Sequence, residues 1–220
     1  MNQKQRQILL NIELAVKRQM SKEGTGHDWW HVSRVLKNSK KIAASLTKAD
    51  SFLIQAAALL HDIRDWKFSR GDEEAGPREA DRLLKKYGTE KESRIRVSQI
   101  IRELSYKGAG VKTRPSSLEG KIVQDADRLD AMGAIGIARC FAYGGSMGRE
   151  IYNPAEKPKL HKNFAAYKKS KGHSINHFYE KLLLLKSRMN TLEGRRLAVK
   201  RDSFMRSYLQ HFYQECSANS

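Results

Sequence analysis

The chain has little cysteine, little proline and no long apolar run, and each shortage removes a class of protein. Two cysteines, Cys140 and Cys216, cannot build the disulfide framework of a small secreted domain. Nor do they supply the paired thiolates of a structural zinc site; each lies in an apolar or amphipathic helical setting that suits a packed thiol. Four prolines among 220 residues leave room for long uninterrupted helices. The longest apolar stretches, Ala56 to Leu60 and Leu182 to Leu185, fall far short of the roughly 20 residues that cross a bilayer. The first residues, MNQKQRQILLNIELAV, lack the layout of a secretory signal. The sequence therefore reads as a soluble, cytoplasmic protein with no membrane partner.

Positive charge is what the chain has in excess. Its 42 Lys and Arg residues against 24 Asp and Glu give a net charge of +18. Such a surplus concentrates anions through the summed field. A polynucleotide, a small phosphorylated substrate and a merely solvated basic surface all fit it, so charge alone does not choose. Hydrophobic residues make up 40% of the chain, enough for one packed domain spanning 1–220.

A period of about 3.6 residues dominates, and strand-like alternation is scarce. The spacing predicts helices over 3–20, 28–46, 51–63, 78–87, 90–104, 117–143, 174–190 and 193–215. Gly24 and Gly26 end the first, Asp50 caps the third, and Gly88 closes the fourth. Gly144 and Gly145 end the long sixth helix. The segments 64–77, 105–117 and 146–172 read as loops, the last of them basic. The expected fold class is all-α.

Four fragments carry chemistry: HDWWH at 27–31, His61-Asp62, the acids Asp72, Glu73 and Glu74, and DADRLD at 125–130. Histidine and carboxylate together suit a borderline or hard divalent cation. His61-Asp62 sits at the end of an apolar helix, where an unpaired carboxylate is costly. Side chains of adjacent helical residues diverge by about 100°, so both can grip one ion only if it lies near the backbone. His31 belongs to the strip Asp28, His31, Val35, Asn38, Ile42, beside the apolar face of its helix. Asp127 is an acid among Ile122, Val123, Ala126 and Leu129. Taken singly, a histidine beside an apolar face is more often a packed residue than a ligand, and an Asp at a helix end is commonly a cap. Their ordered recurrence over three helices argues for convergence.

The order H…HD…D, carried by HDWWHVSRV, AALLHDIRDWKF and KIVQDADRLDA, resembles the HD superfamily of metal-dependent phosphohydrolases, the small bacterial members in particular. The likeness extends into AIGIARCFAYGG and HFYEKLLLLKSRMNT, covering about 20–210. It implies an HD-domain helical bundle with a core over about 20–145 and a C-terminal helical extension over about 146–220. It also implies one divalent metal, Mn or Mg first and Ni, Co or Fe next, held by His31, His61, Asp62 and Asp127. Asp127 matches the family's ligand because Arg128-Leu129 follows it; Asp125 is the second choice. The extra histidines of two-metal members, and of di-iron oxygenases of this fold, are lacking. Asp65 and Lys67 stand where another version of the motif has HD-x-G-K.

Proton transfer falls to Asp65, Glu73 or Glu74, the acids after the HD pair. Arg34, Lys67, Lys107 and Arg128 are the expected phosphate contacts, with the basic string Lys159, Lys162, Lys168, Lys169 and Lys171 behind them. His27 and Asp28 are expected to orient a ligating imidazole, and His177 to pack in the core. The leading expectation is hydrolysis of a small nucleotide, a nucleoside triphosphate before a monophosphate, with pyrophosphate as a conceivable product. The rival is a nucleic-acid-binding protein with a vestigial site, but aromatics do not interleave with the basic residues as a stacking platform would. A homodimer is the assembly that base rates favour.

Overall fold

A computed structural model describes residues 1–21, 28–64, 71–168 and 172–217. Ten α-helices and no strand occur among the described residues, so the chain is all-α. Among the described residues no helix is long and apolar enough to cross a membrane.

The helices begin where capping side chains permit. In α1 (Gln3–Met20), Asn2 Oδ1 accepts the Gln5 N–H at 2.8 Å and Gln5 Oε1 accepts that of Asn2 at 3.1 Å, a reciprocal capping box. In α2 (Trp29–Ala43), Asp28 caps the first turn, and Val32, Val35, Leu36, Ser39 and Ile42 form the buried face. Asp50 caps α3 (Ser51–Leu60) through the N–H groups of Phe52 and Leu53. Eight of the ten residues of α3 are buried, because this helix packs against α1, α2 and α5 (Lys91–Leu104). The helix α4 (Ala75–Lys86) forms a hairpin with α5. It starts earlier than the expected 78, since Pro77 fits a first turn, whose N–H groups have no intrahelical acceptor.

The chain divides into two compact units. The first holds residues 1–106 and 113–127; the second holds 107–112 and 128–220. In the second, α7 (Gly133–Ser146) packs on α9 (Ser174–Glu180) and α10 (Leu192–Cys216), and the short α8 (Phe164–Lys168) interrupts a segment expected to be irregular. Phe178 stacks on Tyr208 at 5.9 Å, with Phe141 6.0 Å from Phe178. Cys140 is a packed thiol that burial pushes up to about 12, and Cys216 is exposed.

Three helix boundaries correct the sequence reading. The expected 117–143 helix is two: α6 (Leu118–Asp130) ends, Met132 is extended and buried, and α7 begins at Gly133 with φ +72°. A left-handed residue costs glycine nothing, so the corner falls there. Gly144 and Gly145 do not end α7, which runs on to Ser146; a Cβ at Gly144 would stand 2.2 Å from Ser174 Oγ, so this glycine permits a close helix approach. The expected 174–190 helix stops at Glu180, where Lys181 leaves helical geometry. Two 3₁₀ turns follow, Leu182–Leu184 and Lys186–Arg188, and their tighter winding buries Leu182, Leu185 and Met189.

Candidate metal centre

Four donors of the first unit, each at or near a helix end, come together. His31 is the third residue of α2, His61 and Asp62 directly follow α3, and Asp127 lies in the last turn of α6. Each placement has a local cause. Asp28 Oδ1 accepts the main-chain N–H of His31 at 2.9 Å, which fixes where α2 starts and so which way His31 points. Asp28 was expected to meet an imidazole; it acts on the backbone instead. His27 lies outside the described residues.

His31 Nε2 and His61 Nε2 are 3.0 Å apart. Asp62 Oδ2 is 3.3 Å from the first and 3.7 Å from the second. Asp127 Oδ1 is 3.6 and 3.8 Å from the same two atoms. The donors of His31, His61 and Asp127 all lie within 4.8 Å of one another; Asp62 reaches both imidazoles without joining that mutually close set. The side chain of His31 is fully buried, while Asp62 is 17% and Asp127 34% exposed, so the cluster opens on its carboxylate side.

One hydrogen bond sets the chemistry of His61. Its Nδ1 is 2.9 Å from the Ala58 carbonyl, an atom that can only accept, so Nδ1 carries the proton and Nε2 presents a lone pair to the cluster. A carbonyl on the outer nitrogen is the usual support of a ligating imidazole.

The donor set fits a divalent cation. Metal–ligand bonds of about 2.1 Å place neighbouring donors of one shell roughly 3.0–3.4 Å apart, close to the spacings here. Two imidazoles and two half-buried carboxylates are also the nitrogen and oxygen donors that a borderline or hard divalent cation takes.

The other expected residues fall elsewhere or beside the cluster. Arg34 is half-buried, one turn along α2 from His31. Asp125 is fully buried, and Asp130 pairs with Arg139 at 3.0 Å. Glu73 is exposed. Glu74 is gripped by Arg102, whose Nε is 2.9 Å from both of its oxygens, and this holds its carboxyl below the ordinary range. Asp65, Lys67, Lys169 and Lys171 lie outside the described residues. Lys159 and Lys162 are exposed, and His177, expected in the core, is half-buried. In the second unit, Lys107 Nζ stands 5.5 Å over the Phe164 ring. Arg128 is buried and donates to the Arg188 carbonyl. A groove lined by Pro77, Arg78, Asp81, Ile95, Ser98 and Arg102 on α4 and α5 contains none of the cluster residues.

Sequence reasoning missed Arg188 and Arg201. The Arg188 guanidinium binds the carbonyls of Gly108 and Val111 at 3.2 and 3.3 Å and that of Ala109, pinning the loop 107–112. Arg201 binds the Leu129 carbonyl at the end of α6. Nothing marked either among so many basic residues, because main-chain acceptors leave no trace in the sequence.

Comparison with known proteins agrees with the geometry. Residues 29–132, from the start of α2 to just past α6, match the HD domain family. YpgQ of Bacillus subtilis is 38% identical over 197 residues, 89% of this chain and 87% of YpgQ. A crystal structure of YpgQ in complex with ADP superposes with a TM-score of 0.73 over 96% of each chain, at 33% identity. A Lactobacillus plantarum protein superposes with a TM-score of 0.87 over 99% of each chain, at 33% identity. An HD-superfamily hydrolase of Bacillus thuringiensis does so at 0.73, with 37% identity over 97% of this chain and 99% of its own. Two imidazoles and two carboxylates converging from three helix ends, in a chain this similar to such hydrolases, place it in the HD superfamily of metal-dependent phosphohydrolases.

Proposed function

We propose that the chain hydrolyses small nucleotides, nucleoside triphosphates before monophosphates, with one divalent cation, Mn or Mg, held by His31, His61, Asp62 and Asp127. The observation that carries this reading is that two imidazole nitrogens 3.0 Å apart are each met by an oxygen of Asp62 and of Asp127 at 3.3–3.8 Å. The ADP bound by YpgQ supports a nucleotide rather than another phosphate ester. The net charge of +18 favours a polyanion. We read residues 1–220 as one HD-type domain, with 146–220 as its helical extension.

When bound, the cation supplies Lewis acidity and a more acidic water. The chain's residues do the rest. His61, through the bond from Nδ1 to the Ala58 carbonyl, turns Nε2 toward the cluster as its donor atom. The two carboxylates set the charge of the site. Arg34, Lys67 and Lys107 are assigned to phosphoryl oxygens, since phosphoryl transfer needs positioning and charge stabilisation. Arg128, with its guanidinium on a main-chain carbonyl, is read as structural. Proton removal from the attacking water is assigned to Asp65 or Glu73. Glu74 is the weakest base of the three, because Arg102 stabilises its ionised form.

A panel of nucleoside tri-, di- and monophosphates tests the reading, with Mn, Mg, Co or Ni and with orthophosphate and pyrophosphate both followed. Triphosphates are expected to turn over fastest and only with metal. Preference for monophosphates would move the substrate to the 5′-nucleotidase reading. No turnover with any metal, together with RNA or DNA affinity that falls steeply with salt, would remove the enzymatic one.

A further inference from the structure

Asp127 sits where an α-helix is weakest. It lies in the last turn of α6, and such turns open readily because their final carbonyls lack intrahelical donors. Three arginines of the second unit close this end. Arg201 of α10 donates Nη1 to the Leu129 carbonyl. Its stem lies on Gly133, where an added Cβ would come within 3.2 Å of Arg201 Cγ. Arg128 donates to the Arg188 carbonyl. Arg139 binds the buried Asp130 at 3.0 Å. Cations at a helix C-terminus also oppose the negative end of the macrodipole.

We propose that Arg201 is a positioning residue for the metal centre. By occupying the Leu129 carbonyl it holds the last turn of α6, and with it the Asp127 carboxylate, at the spacing the cation needs. The inference rests on Asp127 being a ligand. Its strength comes from sequence distance: Leu129 is two residues beyond Asp127 on the same helix, so a shift of that carbonyl moves the carboxylate. Charge acts the other way. A guanidinium within a turn of a ligand repels a bound cation, so a purely electrostatic Arg201 would weaken metal binding and its removal would strengthen it.

The test uses the full chain, stripped with chelator, and Mn²⁺ alone as the probe, titrated by calorimetry. Arg201→Met keeps the stem against Gly133 and removes every donor; Arg201→Lys keeps the charge and one donor group. Loss of an orienting partner weakens metal affinity about 10–100-fold, and a rise of that size in the Mn²⁺ Kd is expected for Arg201→Met, with Arg201→Lys between it and the unaltered chain. Turnover of the same variants is expected to need more Mn²⁺ for half-activation while kcat at saturating Mn²⁺ stays near the original. A purely structural Arg201 would lower the thermal midpoints of the metal-free and Mn²⁺-loaded forms equally and leave Kd unchanged. That result, or tighter Mn²⁺ binding, overturns the proposal alone. If Arg201→Met does not give the helical circular-dichroism signal, Arg201→Lys decides by the same titration. Failure of the unaltered chain to bind Mn²⁺ overturns the ligand assignment and this proposal with it.

Discussion

An imidazole is a ligand only at the nitrogen that lacks a proton, and in His61 the Ala58 carbonyl decides which nitrogen that is. The HD dipeptide was legible in the sequence; its orientation was not, because every residue type carries the same carbonyl. Choosing among Asp125, Asp127 and Asp130 was limited in a similar way. Two helical residues apart means roughly 200° around the axis, so Asp125 and Asp127 serve opposite sides of α6. Which side faces the imidazoles depends on packing that no local string records. At this scale the expectation is that His61→Ala and Asp62→Ala each abolish turnover while the helical circular-dichroism signal persists. Turnover surviving in both variants would end the metal mechanism.

Among the elements, the helices with strong caps and one apolar face were readable, as α1, α2 and α3 show. The breaks were not. Residues 117–143 keep helical periodicity throughout, and the corner at Gly133 follows from burial of Met132 and from the Arg201 stem laid against that glycine. Gly144 was legible as a glycine and misread as a stop, because the reason for it stands on another helix. Gly144→Ala is expected to cost about 1–3 kcal/mol of stability, the usual penalty of overpacking. In a Ser174→Ala background most of that loss should disappear, since the nearest remaining atom, Ser174 Cβ, is 3.5 Å from the new methyl, an ordinary contact. Denaturant unfolding of the four chains measures the difference. An equal loss in both backgrounds would show that the clash with Ser174 Oγ is not the cause.

For the whole molecule, fold class and family were readable because both rest on local strings: an apolar period, and histidines and acids in a fixed order. The division into two compact units was not, since it depends on where α6 passes from one set of contacts to the other. Nor was the substrate, because no motif here reads a base and the net charge of +18 fits any polyanion. The placement of the donors has a consequence for motion. His31 opens α2, His61 and Asp62 follow α3, and Asp127 stands in the final turn of α6, so a bound cation tethers three termini that would otherwise open first. Chelation cuts the tether. Amide hydrogen exchange should then quicken at the start of α2 and at the ends of α3 and α6, while the α4–α5 hairpin, which contributes no donor, keeps its protection. Exchange rates unchanged on chelation at those three termini would mean that the ion, wherever it binds, ties none of them.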